Sequence, residues 1–230
     1  MDMTEAIRTR RSIRDFTGEK IPDEDVEKIL DAARYAPSPE NMQMWRYVVI
    51  REDQELKEFI ADMSQNAASE VFGSAPYELT QGRLWYLPDR SRPGIFETMR
   101  TGALFSYPKD ADVVIIGCGS ETFHDSPLIY ELEYFGSIVV AMGILNMWYT
   151  AHSLGYGAAF QAFPIMEPRR CELLCERIAI PRTWVPVATL SIGVPKKPRM
   201  MGPSRYPLES VFYSERWGNS YKRLAFREEE

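Results

Sequence analysis

Residues 8–14 read RTRRSIR, and four of the seven are arginine: Arg8, Arg10, Arg11 and Arg14. A guanidinium is a planar, permanently charged donor that grips phosphate through paired hydrogen bonds. On a helix, Arg10 and Arg14 are four apart and Arg8 and Arg11 three apart, so a turn or helix end here would aim several of them one way. Ser12 adds a short hydroxyl donor between them. Two readings stand at this point: a phosphate clamp, and a solvated basic face or partner patch. The chain as a whole is acidic, with 27 Lys+Arg against 33 Asp+Glu and a formal net charge of −6. That balance argues against general nucleic-acid binding and leaves a local anion site open.

A second stretch, APSPENMQMW at 36–45, offers Ser38, Asn41 and Gln43 as short neutral hydrogen-bonders. Pro37 and Pro39 restrict the backbone around them. Such groups can read a polar heteroaromatic edge or a sugar-like chain. Other constellations are weaker. Cys171 and Cys175 are four apart on an expected helix, but only His124 and His152 are available to complete a metal site, so buried small thiols are the better reading. Cys118 in IIGCGS has His124 six residues later as a candidate base, with nothing to orient it. Gly155 and Gly157 do not follow a strand within a βαβ unit, so a dinucleotide fingerprint is not present. No catalytic side chain and no metal ligand is singled out.

These residues need elements to hold them. At 230 residues with 45% hydrophobic and 26% charged residues, the chain fits a single domain with a sizeable core. Residues 3–10 read as a helix with Thr4 a candidate N-cap. In DEDVEKILDAARYAP, Val26, Ile29, Leu30 and Ala33 share one helical face, acids fill the first turn, and Pro37 and Pro39 stop it. WRYVVI at 45–50 reads as a strand, and a third helix is expected from about Asp53 to Asn66. From about Ala67 to Pro108 no clean period appears, which is the pattern of a lid or binding loop. ADVVIIG at 111–117 reads as a central strand, 128–153 as a long helix, 155–160 as leading into a short strand, 167–178 as a helix opened by Pro168, and 185–193 as a strand. The apolar run at 135–151 carries Ser137, Asn146 and Tyr149 and suits a buried helix better than a membrane crossing. Three cysteines and an N-terminus without an apolar signal core lead to the expectation of a reducing, cytoplasmic setting and no membrane partner. The order of strands and helices is not a regular βαβ alternation, so a mixed α+β layer is expected.

Taken together, four stretches resemble the FMN-dependent nitroreductase superfamily. RRSIRDF resembles its opening RRSxRxF motif, and APSPENMQMW resembles APSxxNxQPW. NMWYTAHSLGYGAAF at 146–160 is similar to NLLLAAHALGLGTxW, and LSIGVPKKPR with RYPLES is similar to the closing strand and tail. The resemblance runs in order from residue 10 to 210. It implies a mostly antiparallel central sheet flanked by helices in an intertwined homodimer, with FMN between the two chains. It implies one domain over 1–230, a lid or insertion at about 67–108 and a C-terminal arm at about 194–230. Carried over by motif, Arg10, Arg11, Ser12 and Arg14 would contact the phosphate and ribityl chain. Pro37, Ser38, Pro39, Asn41 and Gln43 would reach FMN from the partner chain. Phe160, Gln161 and Ala162 would face the flavin ring near N5, and Arg205 would reach the phosphate from the tail; Asn66 is a further candidate ring contact. Pro39, Met44 in place of the proline of QPW, and Gln161-Ala162-Phe163 in place of a glycine-rich run depart from the pattern.

The implied activity is a ping-pong flavin cycle in which NADH or NADPH reduces FMN and a small aromatic or conjugated acceptor (a nitroaromatic, quinone or activated alkene) is reduced in turn. Trp85, Tyr86, Phe96, Phe105 and Tyr107 are candidates to stack on that acceptor, and Arg83, Arg90, Arg92 or Arg100 to hold an anionic group on it. The alternatives are a narrower flavin enzyme (a dehydrogenase, a reductive dehalogenase or a flavin-fragmenting enzyme of cobalamin lower-ligand synthesis) and a non-enzymatic flavin-binding module.

Overall fold

A strand that is apolar at every position must be covered on both faces, and VVIIGC can satisfy that only inside a sheet. In the computed structural model, which describes residues 1–74, 84, 87–120, 133–197 and 205–219, this segment is β2 (Val113–Ser120). It lies between β1 (Trp45–Ile50) and β4 (Trp184–Gly193), and β3 (Gly157–Gln161) adds to the far side of β4. All three pairings in the order β1-β2-β4-β3 are antiparallel. Alternation along β2 then assigns the two cores. Val113 and Ile115, with Ala188, Leu190 and Ile192 of β4, join the layer formed by α2 (Asp23–Ala33) and α5 (Glu133–Ser153). Val114, Ile116 and Cys118 join the opposite layer with α3 (Gln54–Gly73), Met99 of α4 (Arg92–Arg100) and Leu174 of α6 (Pro168–Arg177). The result is an α+β sandwich with helices on both faces of an antiparallel sheet. The remaining helices are α1 (Met3–Thr9) and the short α7 (Leu208–Val211). No helix among the described residues is long and apolar enough to cross a membrane.

The layer of α5 is unusually close to the sheet. A Cβ on Gly119 would stand 2.8 Å from the carbonyl carbon of Gly136, so helix and strand meet backbone to backbone there. This is what lets β2 continue past Gly117, where the sequence pattern suggested an end: the strand spans Val113–Ser120 rather than 111–117. Helix α3 runs on to Gly73 instead of stopping near Asn66, because Ala67, Ala68 and Phe72 continue its buried stripe. The unpatterned 67–108 stretch contains α4, which starts with Arg92-Pro93; a proline at the first turn removes no helical hydrogen bond. Asp2, not Thr4, caps α1, its side chain accepting from the Glu5 amide at 2.8 Å. The expected start of the long helix near 128 lies outside the described residues, and α5 is described from Glu133.

A buried carboxylate ties three elements together. Asp112, its side chain 1% exposed, accepts from the Ile21 amide at 2.9 Å and pairs with Arg51 at 3.1 Å and Lys20 at 3.4 Å. Arg51 also donates to the Ile21 carbonyl and to Asp23. The entry to α2, the end of β1 and the start of β2 are therefore pinned at one point.

Candidate functional site

Helix α1 ends at Thr9, and Arg10 leaves it with φ −53° and ψ 135°. The chain then runs extended beside β3: Ser12 bridges Ala158, and the Ile13 amide donates to the Ala158 carbonyl at 2.9 Å. The helical spacing expected of the arginines therefore does not apply. Each takes its own course from an extended ribbon. The Arg10 guanidinium lies 4.1 Å from the centroid of the Trp148 ring, and Phe160 stacks on the same tryptophan at 6.5 Å with 12° between planes. The Arg11 guanidinium donates to the carbonyls of Arg8 and Arg10, both at 2.7 Å. Arg14 turns toward Tyr107, 5.9 Å from its ring, at a cleft of about 530 Å³ that also takes in Thr98, Leu104, Ser106 and Lys197. Arg205 of the tail is near enough to Arg10 for the two charges to repel.

Burial is the main force on Arg10, pulling its pKa below the ordinary guanidinium value; Tyr149 opposes this, and the charges of Arg205 and Arg11 add to it. Among the described residues, no carboxylate pairs with Arg10, Arg11 or Arg14. Each of the three carries a buried Nε without a hydrogen-bond acceptor among the described residues. Buried donors of this strength call for an acceptor, and cations as close as Arg10, Arg11 and Arg205 call for negative charge. A phosphate ester supplies both, so the donor set fits FMN.

Phe160, Gln161 and Ala162 stand at the end of β3, but they point different ways. Phe160 is 40% exposed beside Trp148, whereas Gln161 is buried and its Nε2 donates to Ser64 of α3 at 3.1 Å. Strand alternation explains the split. Gln161 thus presents only backbone to the Phe160 side, and Thr189 Oγ1 donates to its carbonyl at 3.2 Å. Asn66 is exposed on α3.

The 37–43 loop is elsewhere. It precedes β1, at the opposite edge of the sheet from β3. Three strand spacings separate those edges, about 14 Å, and register places Trp45 opposite the level of Val185 while Phe160 is level with Leu190, about 17 Å further along. A chain's own loop therefore does not close over its own Phe160. The loop is tightly built: Ser38 Oγ accepts from the Gln43 amide at 3.0 Å, and Glu40, Asn41 and Gln43 all take positive φ, at 51°, 57° and 49°. Left-handed non-glycine residues in such a run store strain of the kind found at ligand clamps. Pro37, Asn41 and Gln43 are exposed, and Pro39 and Ser38 partly so. Met44 does not loosen this turn: it is buried in the core, and its carbonyl accepts from the Ser120 amide at 3.1 Å.

Several candidates are corrected. Phe105 and Tyr107 are core residues, Phe105 lying parallel to Phe72 at 5.9 Å and edge-on to Phe163 at 4.4 Å, so neither is offered to an acceptor. Phe96 packs partly buried against the same cluster. Arg92 pairs with Asp89 and Arg100 with Glu97. Arg83, Trp85, Tyr86 and His124 lie outside the described residues. Burial pushes the Cys118 thiol up to about 12 and Cys171 up to about 11, the reverse of what a nucleophile needs. Among the described residues no three ligating side chains form a metal cluster. Trp148 and Tyr149, which shape the surroundings of Arg10, were not singled out in the sequence; the only signal was two aromatics where the resembled pattern has leucines.

The family model for the nitroreductase family matches residues 7–194, spanning the arginine ribbon, the 37–43 loop and all four strands. The chain belongs to the nitroreductase family. A relative from Methanothermobacter thermautotrophicus, provisionally named NADH dehydrogenase/NAD(P)H nitroreductase, is 28% identical over 195 residues, covering 85% of this chain and 78% of its own. The 5,6-dimethylbenzimidazole synthase of Rhodospirillum rubrum is 25% identical over 189 residues, covering 82% of this chain and 79% of its own. Among solved structures, a provisionally named nitroreductase from Desulfovibrio desulfuricans in complex with FMN superimposes with a TM-score of 0.64 at 24% identity, covering 93% of this chain and 96% of that one. A BluB-like flavoprotein from Clostridium difficile 630 gives 0.65 at 24% identity, over 94% and 100% of the two chains. These likenesses establish the nitroreductase fold for the sandwich described above.

Proposed function

We propose that this nitroreductase-family chain is an FMN-dependent oxidoreductase that takes electrons from NADH or NADPH and passes them to small nitroaromatic, quinone or activated-alkene acceptors. The observation that carries the reading is the trio of buried Nε donors on Arg10, Arg11 and Arg14 with no acceptor among the described residues, on a ribbon bridged at Ala158 to β3, the strand that carries the exposed Phe160. FMN held here would supply the two-electron chemistry between a nicotinamide donor and an acceptor. The chain's own work is to bind and orient. Arg10, Arg11, Ser12 and Arg14 hold the phosphate and ribityl end, with Arg205 adding charge from the tail. Phe160 covers an apolar surface of the ring, and the backbone of Gln161 and Ala162, fixed through Ser64 and Thr189, sets what lies along its edge. No side-chain acid or base is required, since solvent can supply protons.

The site works in a homodimer. The distance between the 37–43 loop and Phe160 within one chain, about 22 Å by strand geometry, supports a loop delivered by the partner. One domain over 1–230 with a covering segment at about 67–108 and an arm at about 194–230 completes this reading. FMN uptake tests it: the purified chain binds FMN more tightly than riboflavin, and binding weakens with salt. Equal, salt-insensitive affinity for both flavins rules out the arginine clamp. Mixed dimers test the shared site: Arg10→Ala and Asn41→Ala chains, each poor alone, recover FMN binding when combined, and no recovery rules out sharing. A second reading, a flavin-fragmenting enzyme, is favoured by the similarity to the R. rubrum synthase. It predicts a benzimidazole product from reduced FMN in air, detectable by mass spectrometry.

A further inference from the structure

We propose that Trp148 is a positioning residue whose indole face holds the Arg10 guanidinium in place to meet the FMN phosphate. This rests on the cofactor reading above. Arg10 is in an unfavourable place for a cation: partly buried, without a carboxylate partner among the described residues, and next to the charges of Arg11 and Arg205. A long side chain so repelled moves into water unless something holds it. Two contacts hold it: a side-chain hydrogen bond with Tyr149, and an aromatic face at 4.1 Å, well inside the reach of a cation–π attraction. A face serves this purpose where a carboxylate would not. An acid would neutralise Arg10 and compete with phosphate, whereas a ring quadrupole attracts the cation and leaves its donors free to bond.

The ring is itself held rigidly. It projects from α5, packs partly buried against the layer of α2 and the sheet, and stacks with Phe160. Its Nε1 is buried without an acceptor among the described residues, and packing and the guanidinium are the contacts that direct it. The pattern NLLLAAHALGLGTxW carries leucine where this chain has Trp148, so the contact is a feature of this chain and not of the motif. Trp148 also contacts Phe160, so riboflavin, which meets the Phe160 side of the site but lacks the phosphate, serves as the control for that second contact.

The experiment is a flavin titration, followed by quenching of flavin fluorescence, of the full-length wild type, Trp148→Phe and Trp148→Met. FMN and riboflavin are titrated into each. Methionine is a flexible apolar filler without a π-face, smaller than the indole, and phenylalanine restores a weaker face. The expected result is about a 3- to 30-fold loss of FMN affinity in Trp148→Met, partial rescue in Trp148→Phe, and riboflavin affinity unchanged within about 2-fold in both. A purely structural role would weaken both flavins together, and that result overturns the proposal, as does unchanged FMN affinity in Trp148→Met. Should Trp148→Met lack a cooperative thermal transition, Trp148→Phe is compared in wild-type and Arg10→Ala backgrounds. Its effect on FMN is expected only where Arg10 is present, and equal effects in both backgrounds overturn the proposal. Failure of the wild type to bind FMN refutes the cofactor reading instead, so the two failures are distinct.

Discussion

Removing Arg10 should separate cofactor binding from stability. In the absence of flavin, Arg10→Ala loses the contact with Trp148, about 0.5–2 kcal/mol, and the hydrogen bond with Tyr149, about 0.5–1.5 kcal/mol. It also relieves a partly buried cation of the repulsion from Arg11 and Arg205. These effects oppose one another, so the melting temperature of the flavin-free protein moves by less than about 4 °C for a chain of this size. With flavin the effects no longer cancel. At a hundred times the wild-type Kd, FMN stabilises the wild type by about 2.7 kcal/mol, a rise of about 5–11 °C. Loss of charge-assisted hydrogen bonds worth about 1.5–3 kcal/mol weakens FMN about 10- to 150-fold. At the same FMN concentration the variant then gains only about 0.3–1.4 kcal/mol, between about a tenth and a half of the wild-type rise. Thermal melts with and without FMN read this directly. A full wild-type shift in Arg10→Ala shows that Arg10 does not face the phosphate. A collapse of the flavin-free melting temperature shows that the residue is structural.

Asp112→Asn leaves Arg51 and Lys20 facing a neutral amide at a nearly inaccessible position, and should cost about 3–5 kcal/mol, a drop in melting temperature of about 6–20 °C; a drop under about 2 °C contradicts the pinning role. Gly143→Ala places a Cβ 2.0 Å from Tyr47 Oη, costing about 1–3 kcal/mol, and Tyr47→Phe, which removes that hydroxyl, should relieve part of the cost in the double variant; strict additivity refutes the clash. Burial first, then the charges of Arg10 and Arg11, hold His152 below its ordinary value. Below about pH 6.5 the unfolded chain takes up a proton that the native histidine resists, so flavin-free stability falls as pH drops through that point toward the native pKa. His152→Gln should flatten this part of the profile, and a profile identical to wild type removes His152 as its source.

The fold was readable where a period was uninterrupted. The face formed by Val26, Ile29 and Ala33 defined α2, and WRYVVI matched β1 residue for residue. Boundaries failed where a residue type had two meanings. Gly117 read as the strand's end, yet β2 runs on to Ser120 where Gly119 meets α5 backbone to backbone, and the unpatterned 67–108 stretch holds a helix opened by Arg92-Pro93. In the site, the arginines announced themselves by type. Their directions did not, because spacing along a helix means nothing once Arg10 leaves α1 as an extended chain. The positions of Phe105 and Tyr107 were equally illegible, since an aromatic in an unpatterned segment carries no mark of whether it faces solvent or core. Trp148 was hidden because its contact with Arg10 joins residues far apart in sequence, and nothing local records it.

The central claim is that the arginine ribbon holds an FMN that nicotinamides reduce. Its most direct test is an anaerobic titration of the FMN-loaded protein with NADH and, separately, NADPH, followed by the flavin absorbance. The expected result is bleaching by at least one of them at one equivalent per bound FMN, and recovery of colour when a quinone or nitroaromatic is added. A protein that takes up no FMN, or whose bound FMN stays oxidised with both nucleotides, contradicts it.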